Sequence, residues 1–212
     1  MDRFHDQEGF AAMVASSRAS SSQSSAKSTP PLNDKISILE AVTAAAQRRR
    51  MKWLMTPCSL YGKRIRYAIM EYERLLDSSD MNMEDWVRIA TDIEVNYKFF
   101  DAFIVLHGTD TMAYTASALS FLLENLGKTV IITGSQVPIS EVRNDGIDNL
   151  LGALTIAGHF VIPEVTLYFN NRLFRGNRCS KLSAMDFDAF DSPNLPPLVN
   201  VGVSISTLSL VC

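Results

Sequence analysis

Three side chains in this 212-residue sequence carry groups that could act together in covalent chemistry: Thr109, Asp110 and Lys128. A threonine hydroxyl is a poor nucleophile at neutral pH and needs a base beside it. A lysine can be that base when burial lowers its pKa, and a carboxylate can orient the group. Thr109 and Asp110 follow the apolar run Ala102 to Leu106, and Lys128 stands just before the apolar run Thr129 to Ile132. Spacing alone does not prove that the three meet. By itself it favours a plainer arrangement, in which Thr and Asp cap a helix and an exposed Lys closes one.

Other patterns fall away on inspection. Gly127-Lys128-Thr129 resembles the end of a phosphate-binding loop, but that loop requires glycine where Leu122 stands. His107 and His159 have no spacing that suits a metal and read as structural histidines. A serine-lipase elbow of the Gly-x-Ser-x-Gly type is absent from the sequence.

The elements that must position these residues are legible in the middle of the chain. Arg66 to Leu76 is expected to be a short strand leading into the polar turn Asp77-Ser78-Ser79-Asp80. Met83, Trp86, Val87, Ala90, Ile93 and Tyr97 recur at three- and four-residue steps, one face of an amphipathic helix. Strands are expected at Ala102 to Leu106, Thr129 to Ile132 and Val165 to Phe169. Helices are expected from about Thr111 to Leu126, stopped by Gly127, and from Asn144 to Ala157. Continuous apolar strands alternating with helices predict an α/β fold: three layers, a mostly parallel sheet with helices on both faces. Such sheets bind ligands beyond the carboxyl ends of their strands. The turns after Leu106 and Ile132 lie at that edge.

Upstream, residues 1–35 read as a disordered, Ser-rich segment, and 36–212 as the α/β domain. A helix capped by Asn33 or Asp34 is expected through Ile36, Leu39, Val42 and Ala46. Twenty basic against 23 acidic residues give a net charge of −3, which argues against nucleic acid as the main partner. The local run Arg48-Arg49-Arg50 with Lys52 reads as a solvated helix end. The odd set Cys58, Cys179 and Cys212 matches no zinc spacing and suits a reduced, cytoplasmic protein. No apolar run is long enough to span a bilayer.

The run His107-Gly108-Thr109-Asp110-Thr111-Met112 resembles a signature of the L-asparaginase family. The likeness continues through Ala113 to Phe121, Leu126 to Pro138, the turn Asp77 to Met81 with Asp85-Trp86, and the loop Leu173 to Arg178. It runs from about Arg66 to about Val203 and is nearest to the cytoplasmic type, including the long animal form also described as a lysophospholipase. The resemblance implies that Thr109 is a catalytic threonine activated by Lys128. It implies that Asp110 binds the substrate α-amino group, and that Ser78, and Ser79 beside it, hold the α-carboxylate. Many relatives carry glutamine where Ser79 stands. The implied reaction is hydrolysis of the side-chain amide of L-asparagine to aspartate and ammonia, with no metal or organic cofactor implied. The full-length protein is expected to be a homo-oligomer acting on this small molecule.

The sequence also departs from the family. The first strand and its Thr-Gly-Gly-Thr loop are not found in residues 1–65, where Thr29, Thr43 and Thr56 lie in no Gly-rich turn. The smaller C-terminal domain of the family is expected to be missing as well. A chain weak or inactive by itself is one expectation. The alternative is a non-catalytic fragment that binds an amino acid or associates with full-length subunits. A related glutaminase or tRNA-amidotransferase subunit would carry the same Thr109, Asp110 and Lys128. A nucleotide-binding domain is disfavoured by the failed phosphate loop.

Overall fold

The computed structural model describes residues 12–17, 51–72 and 75–208. The helix expected through Ile36 to Ala46 lies outside the described residues. Its strands are β1 (Ala12–Ser17), β2 (Trp53–Met55), β3 (Arg66–Glu71), β4 (Ala102–Leu106), β5 (Thr129–Thr133), β6 (Val165–Phe169), β7 (Arg172–Arg175), β8 (Ser180–Lys181), β9 (Phe190–Asp191), β10 (Val199–Val201) and β11 (Ile205–Thr207). Its α-helices are α1 (Met83–Asn96), α2 (Met112–Leu122) and α3 (Gly146–His159). Nine strands form one sheet in the order β11-β10-β7-β6-β5-β4-β1-β3-β2, and β8 pairs with β9 separately.

Strict alternation along the central strands divides the core in two. Phe103 and Val105 of β4, Val130 and Ile132 of β5, and Val165, Leu167 and Phe169 of β6 face α1 and α2. Ala102, Ile104, Ile131 and Tyr168 face α3, through Ala153, Leu154, Ile156 and Ala157. Period-two alternation sends neighbouring residues to opposite faces, so a fully buried run requires helices on both sides. The three-layer α/β architecture follows. The sheet is mixed, with a parallel centre: β4, β5 and β6 run parallel, whereas β6–β7, β7–β10 and β10–β11 are antiparallel.

Helix α1 begins at a reciprocal cap. Asn82 accepts from the Glu84 N–H, and Asp85 accepts from the Asn82 N–H. It buries Ile89 and Ile93 completely, each contributing about 2 kcal/mol. Helix α2 ends earlier than a Gly127 stop would give. Leu123 leaves the helical region with ψ 74°, and Asn125 takes the positive φ of 53° that turns the chain. Asparagine tolerates that conformation better than most residues, so Gly127 is not needed as the cap.

Two expectations about the N-terminal region are revised by β1. Residues 1–35 were to be without packed structure, and the sheet was to lack a first strand. Instead, Ala12–Ser17 is a strand filling the place between β3 and β4. It is antiparallel to both, with Met13 opposite Val105 and Ser16 opposite Ala102. The physical reason is the pair of unsatisfied edges that β3 and β4 would otherwise present. An antiparallel β1 brings its N-terminal end to the edge where β4 ends.

Candidate active site

The turn after β4 is held by its neighbours on both sides. His107 extends the sheet by donating its N–H to the Thr133 carbonyl at 2.8 Å. A Cβ on Gly134 would stand 2.0 Å from the His107 carbonyl oxygen, so glycine alone lets the β4 and β5 turns cross at this distance. Thr111 donates its hydroxyl to the Ser78 carbonyl at 2.6 Å. This bond draws the Asp77–Asp80 turn against the β4 turn. Glycine at 108 permits the approach, since a Cβ there would lie 2.5 Å from Ser78 Oγ.

Within that turn Ser78 is buried and Ser79 exposed. Asp77 Oδ1 accepts from both the Ser79 N–H and the Ser79 hydroxyl, each at 2.9 Å. The backbone bond, then the side-chain bond, holds the Asp77 carboxyl below its usual pKa. The turn is therefore shaped by its own side chains, with Ser78 set against Gly108 and Ser79 next to it in the chain.

Thr109 is half-buried and Asp110 exposed, and one ammonium meets both. Lys181 Nζ lies 2.9 Å from Thr109 Oγ1 and 2.9 Å from Asp110 Oδ1. The sequence reading assigned this place to Lys128, and here it is corrected. β4 and β5 are in parallel register from Ala102↔Thr129 to Leu106↔Thr133, so Lys128 lies beside Asp101 at the N-terminal edge. Five residues of ladder, roughly 16 Å, separate that edge from the one bearing Thr109. Lys128 donates to the Phe100 carbonyl at 2.7 Å and to the Tyr97 carbonyl, and its Nζ stands 4.5 Å above the Tyr97 ring. It satisfies carbonyls at the end of α1, where a cation suits the helix dipole. Desolvation pushes its pKa down, partly offset by Asp101.

Lys181 is placed by a hairpin that the sequence reading missed. It lies on β8, paired with Phe190 of β9. Arg172 of β7 anchors the hairpin through Asp188, through Asp191 at 3.2 Å and through the Phe190 carbonyl at 3.2 Å. Gln136, in the β5 turn, reaches across to the Asp186 carbonyl at 3.2 Å. The β5 turn itself wraps a buried carboxylate. Asp145 accepts from the N–H groups of Gln136 and Val137 at 3.0 Å and from Asn149 Nδ2 at 3.1 Å. Asn149 also donates to the Gly134 carbonyl and accepts from the Asn170 N–H, both at 3.0 Å.

His107 points inward from the same turn. Its Nδ1 is 2.6 Å from the Gly108 carbonyl, and its Nε2 is 2.8 Å from Thr115 Oγ1. Trp86 Nε1 donates to that same Thr115 oxygen at 2.9 Å. A carbonyl only accepts and an indole N–H only donates, so the chain of bonds fixes one tautomer. Nδ1 carries the proton, and Nε2 accepts from Thr115. Burial pushes the His107 pKa down, with the Gly108 bond opposing, and keeps the ring neutral.

Thr109, Asp110 and Lys181 stand together beyond the C-terminal ends of the parallel strands β4 and β5. The profile of the family described as "Asparaginase, N-terminal" matches residues 12–209. The chain belongs to the asparaginase family. The match begins well upstream of Arg66 and takes in β1. The chain is 62% identical over 143 residues to L-asparaginase 1 of Escherichia coli strain K12, covering 68% of this chain and 42% of that protein. It is 54% identical over 153 residues to the 60 kDa lysophospholipase of Homo sapiens, covering 72% and 27%. The solved L-asparaginase I from Vibrio cholerae superposes with a TM-score of 0.64 at 59% identity, covering 66% of this chain and 43% of that one. A probable cytoplasmic L-asparaginase from Campylobacter jejuni gives 0.60 at 28% identity, covering 65% and 45%. The chain thus spans less than half the length of these asparaginase relatives.

The edge beyond the C-terminal ends of β4 and β5 thus brings Thr109, Asp110 and Lys181 together, with the turn holding Ser78 and Ser79 tied beside them through Thr111, whereas Lys128 stands at the opposite edge. Thr56, the described threonine upstream, is spent elsewhere. It donates to the Pro57 carbonyl and accepts from the Ile65 N–H, both at 3.0 Å. Thr29 and Thr43 lie outside the described residues.

Proposed function

We propose that this site hydrolyses the side-chain amide of L-asparagine, giving aspartate and ammonia. The observation that carries the reading is Lys181 Nζ at 2.9 Å from both Thr109 Oγ1 and Asp110 Oδ1. A lysine in that position passes a proton to or from the hydroxyl as charge develops there. Asp110, exposed beside it, is a fixed negative charge for the substrate α-amino group. Ser78 and Ser79, across Gly108, receive the α-carboxylate. The side-chain amide then lies near the Thr109 hydroxyl. Attack by a hydroxyl oxygen forms an acyl ester and releases ammonia once the leaving nitrogen has gained a proton. Water then cleaves the ester to free aspartate.

The setting we propose is cytoplasmic. The free thiols Cys58 and Cys179 support it, and no helix among the described residues is long and apolar enough to cross a membrane. A homo-oligomer is supported by Tyr114 and Phe121, exposed on one stripe of α2.

The test is ammonia release from L-asparagine by the purified chain, with Lys181→Met as control. Release that disappears in the variant is expected. A folded chain that binds L-aspartate and releases no ammonia from L-asparagine would reduce the site to a binding one.

A further inference from the structure

The hydroxyl of Thr109 is useful only if the turn that carries it is rigid. That turn follows the end of β4, where strand hydrogen bonds no longer hold each peptide. The buried row Trp86–Thr115–His107 takes over at this point. Its members come from three elements: α1, α2 and the segment after β4. Each polar atom in the row has a partner of the right kind. The row ends on the carbonyl of Gly108, which belongs to the peptide joining Gly108 to Thr109.

We infer that His107 is a positioning residue that sets the orientation of the Gly108–Thr109 peptide, and that Trp86 and Thr115 act through it by holding its ring in the Nδ1–H form. A trans peptide is planar, with its C=O and N–H on opposite sides. Drawing the Gly108 carbonyl toward the buried ring therefore turns the Thr109 N–H away from it. The same constraint sets the N–Cα bond from which the Thr109 side chain departs, and so narrows where its hydroxyl meets Lys181. In the other tautomer Nδ1 would be a lone pair facing the carbonyl lone pairs at 2.6 Å, and the peptide would be repelled. Thr115 opposes this by donating to Nε2, and Trp86 holds the Thr115 oxygen in place by donating to it. Trp86 also sits on the helix that follows the Ser78–Ser79 turn, so the row ties both halves of the site to one set of bonds.

This inference rests on the proposed amidohydrolase site for its functional consequence, though not for its geometry. The experiment separates the two. Imidazole nitrogen NMR on the full chain, with His107 assigned by substitution, is expected to show a single neutral Nδ1–H ring. In Thr115→Val that ring is expected to become a tautomer mixture, with the Thr109 and Asp110 amide signals shifted or broadened while the far-edge Lys128 amide stays put. L-Aspartate affinity, by calorimetry, is expected to fall on the order of tenfold, as when partners behind a ligand are removed. His107→Asn keeps an N–H donor near the Nδ1 position and is expected to retain more affinity than His107→Phe, at equal helix content by circular dichroism. An Nε2–H ring in the wild type would overturn the inference. So would Thr115→Val amide signals unchanged at Thr109 and Asp110. If the wild-type chain binds no L-aspartate while the ring is Nδ1–H and responds to Thr115→Val, the inference stands and the amidohydrolase reading fails.

Discussion

Lys181 and Thr109 are 72 residues apart in sequence, yet their side chains meet at 2.9 Å. Lys128, only 19 positions after Thr109, stands at the opposite end of the parallel strands. The two lysines therefore predict opposite phenotypes. Lys181→Met is expected to abolish ammonia release with little effect on the folded state. Lys128→Met is expected to leave release intact and to cost about 1–2 kcal/mol by urea unfolding, because carbonyls at the end of α1 lose a charged donor. Loss of release in Lys128→Met at temperatures where it remains folded would contradict the assignment.

If the Thr109 hydroxyl and the Lys181 amine work as one unit, removing either removes both. Thr109→Val, Lys181→Met and the double variant are then expected to show nearly the same residual rate. The rates would be compared in single-turnover assays. Additive losses in the double variant would mean that the 2.9 Å contact is structural only.

How much of this was legible in sequence depends on range. The central strands and α1 were readable because Phe103, Val105, Ile89 and Ile93 belong to unbroken local periods. Thr109 and Asp110 follow such a strand, but it was the resemblance of the run His107 to Met112, not their spacing, that singled them out. Lys181 was not legible, because its position depends on β8 pairing with β9 and on Arg172 gripping Asp188 and Asp191. No local period encodes those contacts. The one available signal was proximity to the loop Leu173 to Arg178, three residues upstream. β1 was missed for a different reason. The Ser-rich stretch that follows hides the six-residue apolar run Phe10 to Ala15, and only the two open edges of β3 and β4 give Ala12–Ser17 a place.

The neutral His107 predicts a pH dependence of stability with a definite sign. Its folded pKa is below the unfolded value of about 6.5, so the unfolded chain binds the extra proton first. The stabilisation is complete above about pH 6.5 and is lost as pH falls toward the folded pKa. Urea midpoints measured from pH 7.5 down to 5 are expected to decline in the wild type more steeply than in His107→Asn. Parallel curves would show that another group carries the acid sensitivity.

The buried Asp145 carboxylate is a stability element at the edge of the site. Truncating it leaves the Gln136 and Val137 N–H groups and the Asn149 amide without their acceptor. Asp145→Ala is expected to cost about 3 kcal/mol or more, since each bond to a charged acceptor is worth roughly 1.5–3 kcal/mol and the orphaned donors are shielded from water. Asp145→Asn, which retains one oxygen, is expected to fall between. An Asp145→Ala variant as stable as wild type in urea would show that the β5 turn holds its shape without the carboxylate.

Gly108 offers the sharpest separation between shape and stability. An added Cβ would lie 2.5 Å from Ser78 Oγ and 2.8 Å from Ser78 Cβ, too near for either to remain. Serine has no long side chain to swing aside, so the Asp77–Asp80 turn must back away. That turn is tied to the β4 side by the Thr111 bond to the Ser78 carbonyl, and moving it strains or breaks that bond. The core beneath, Phe103 and Val105 against α1 and α2, lies on the far side of the strand end and need not move. Gly108→Ala is therefore expected to weaken L-aspartate binding by on the order of a hundredfold, the effect of an ångström-scale misplacement. Its urea midpoint should drop only slightly. Calorimetry and unfolding on the same preparation decide it. Unchanged affinity would show that the close approach of Ser78 to Gly108 has no part in ligand binding, and would remove the Asp77–Asp80 turn from the site.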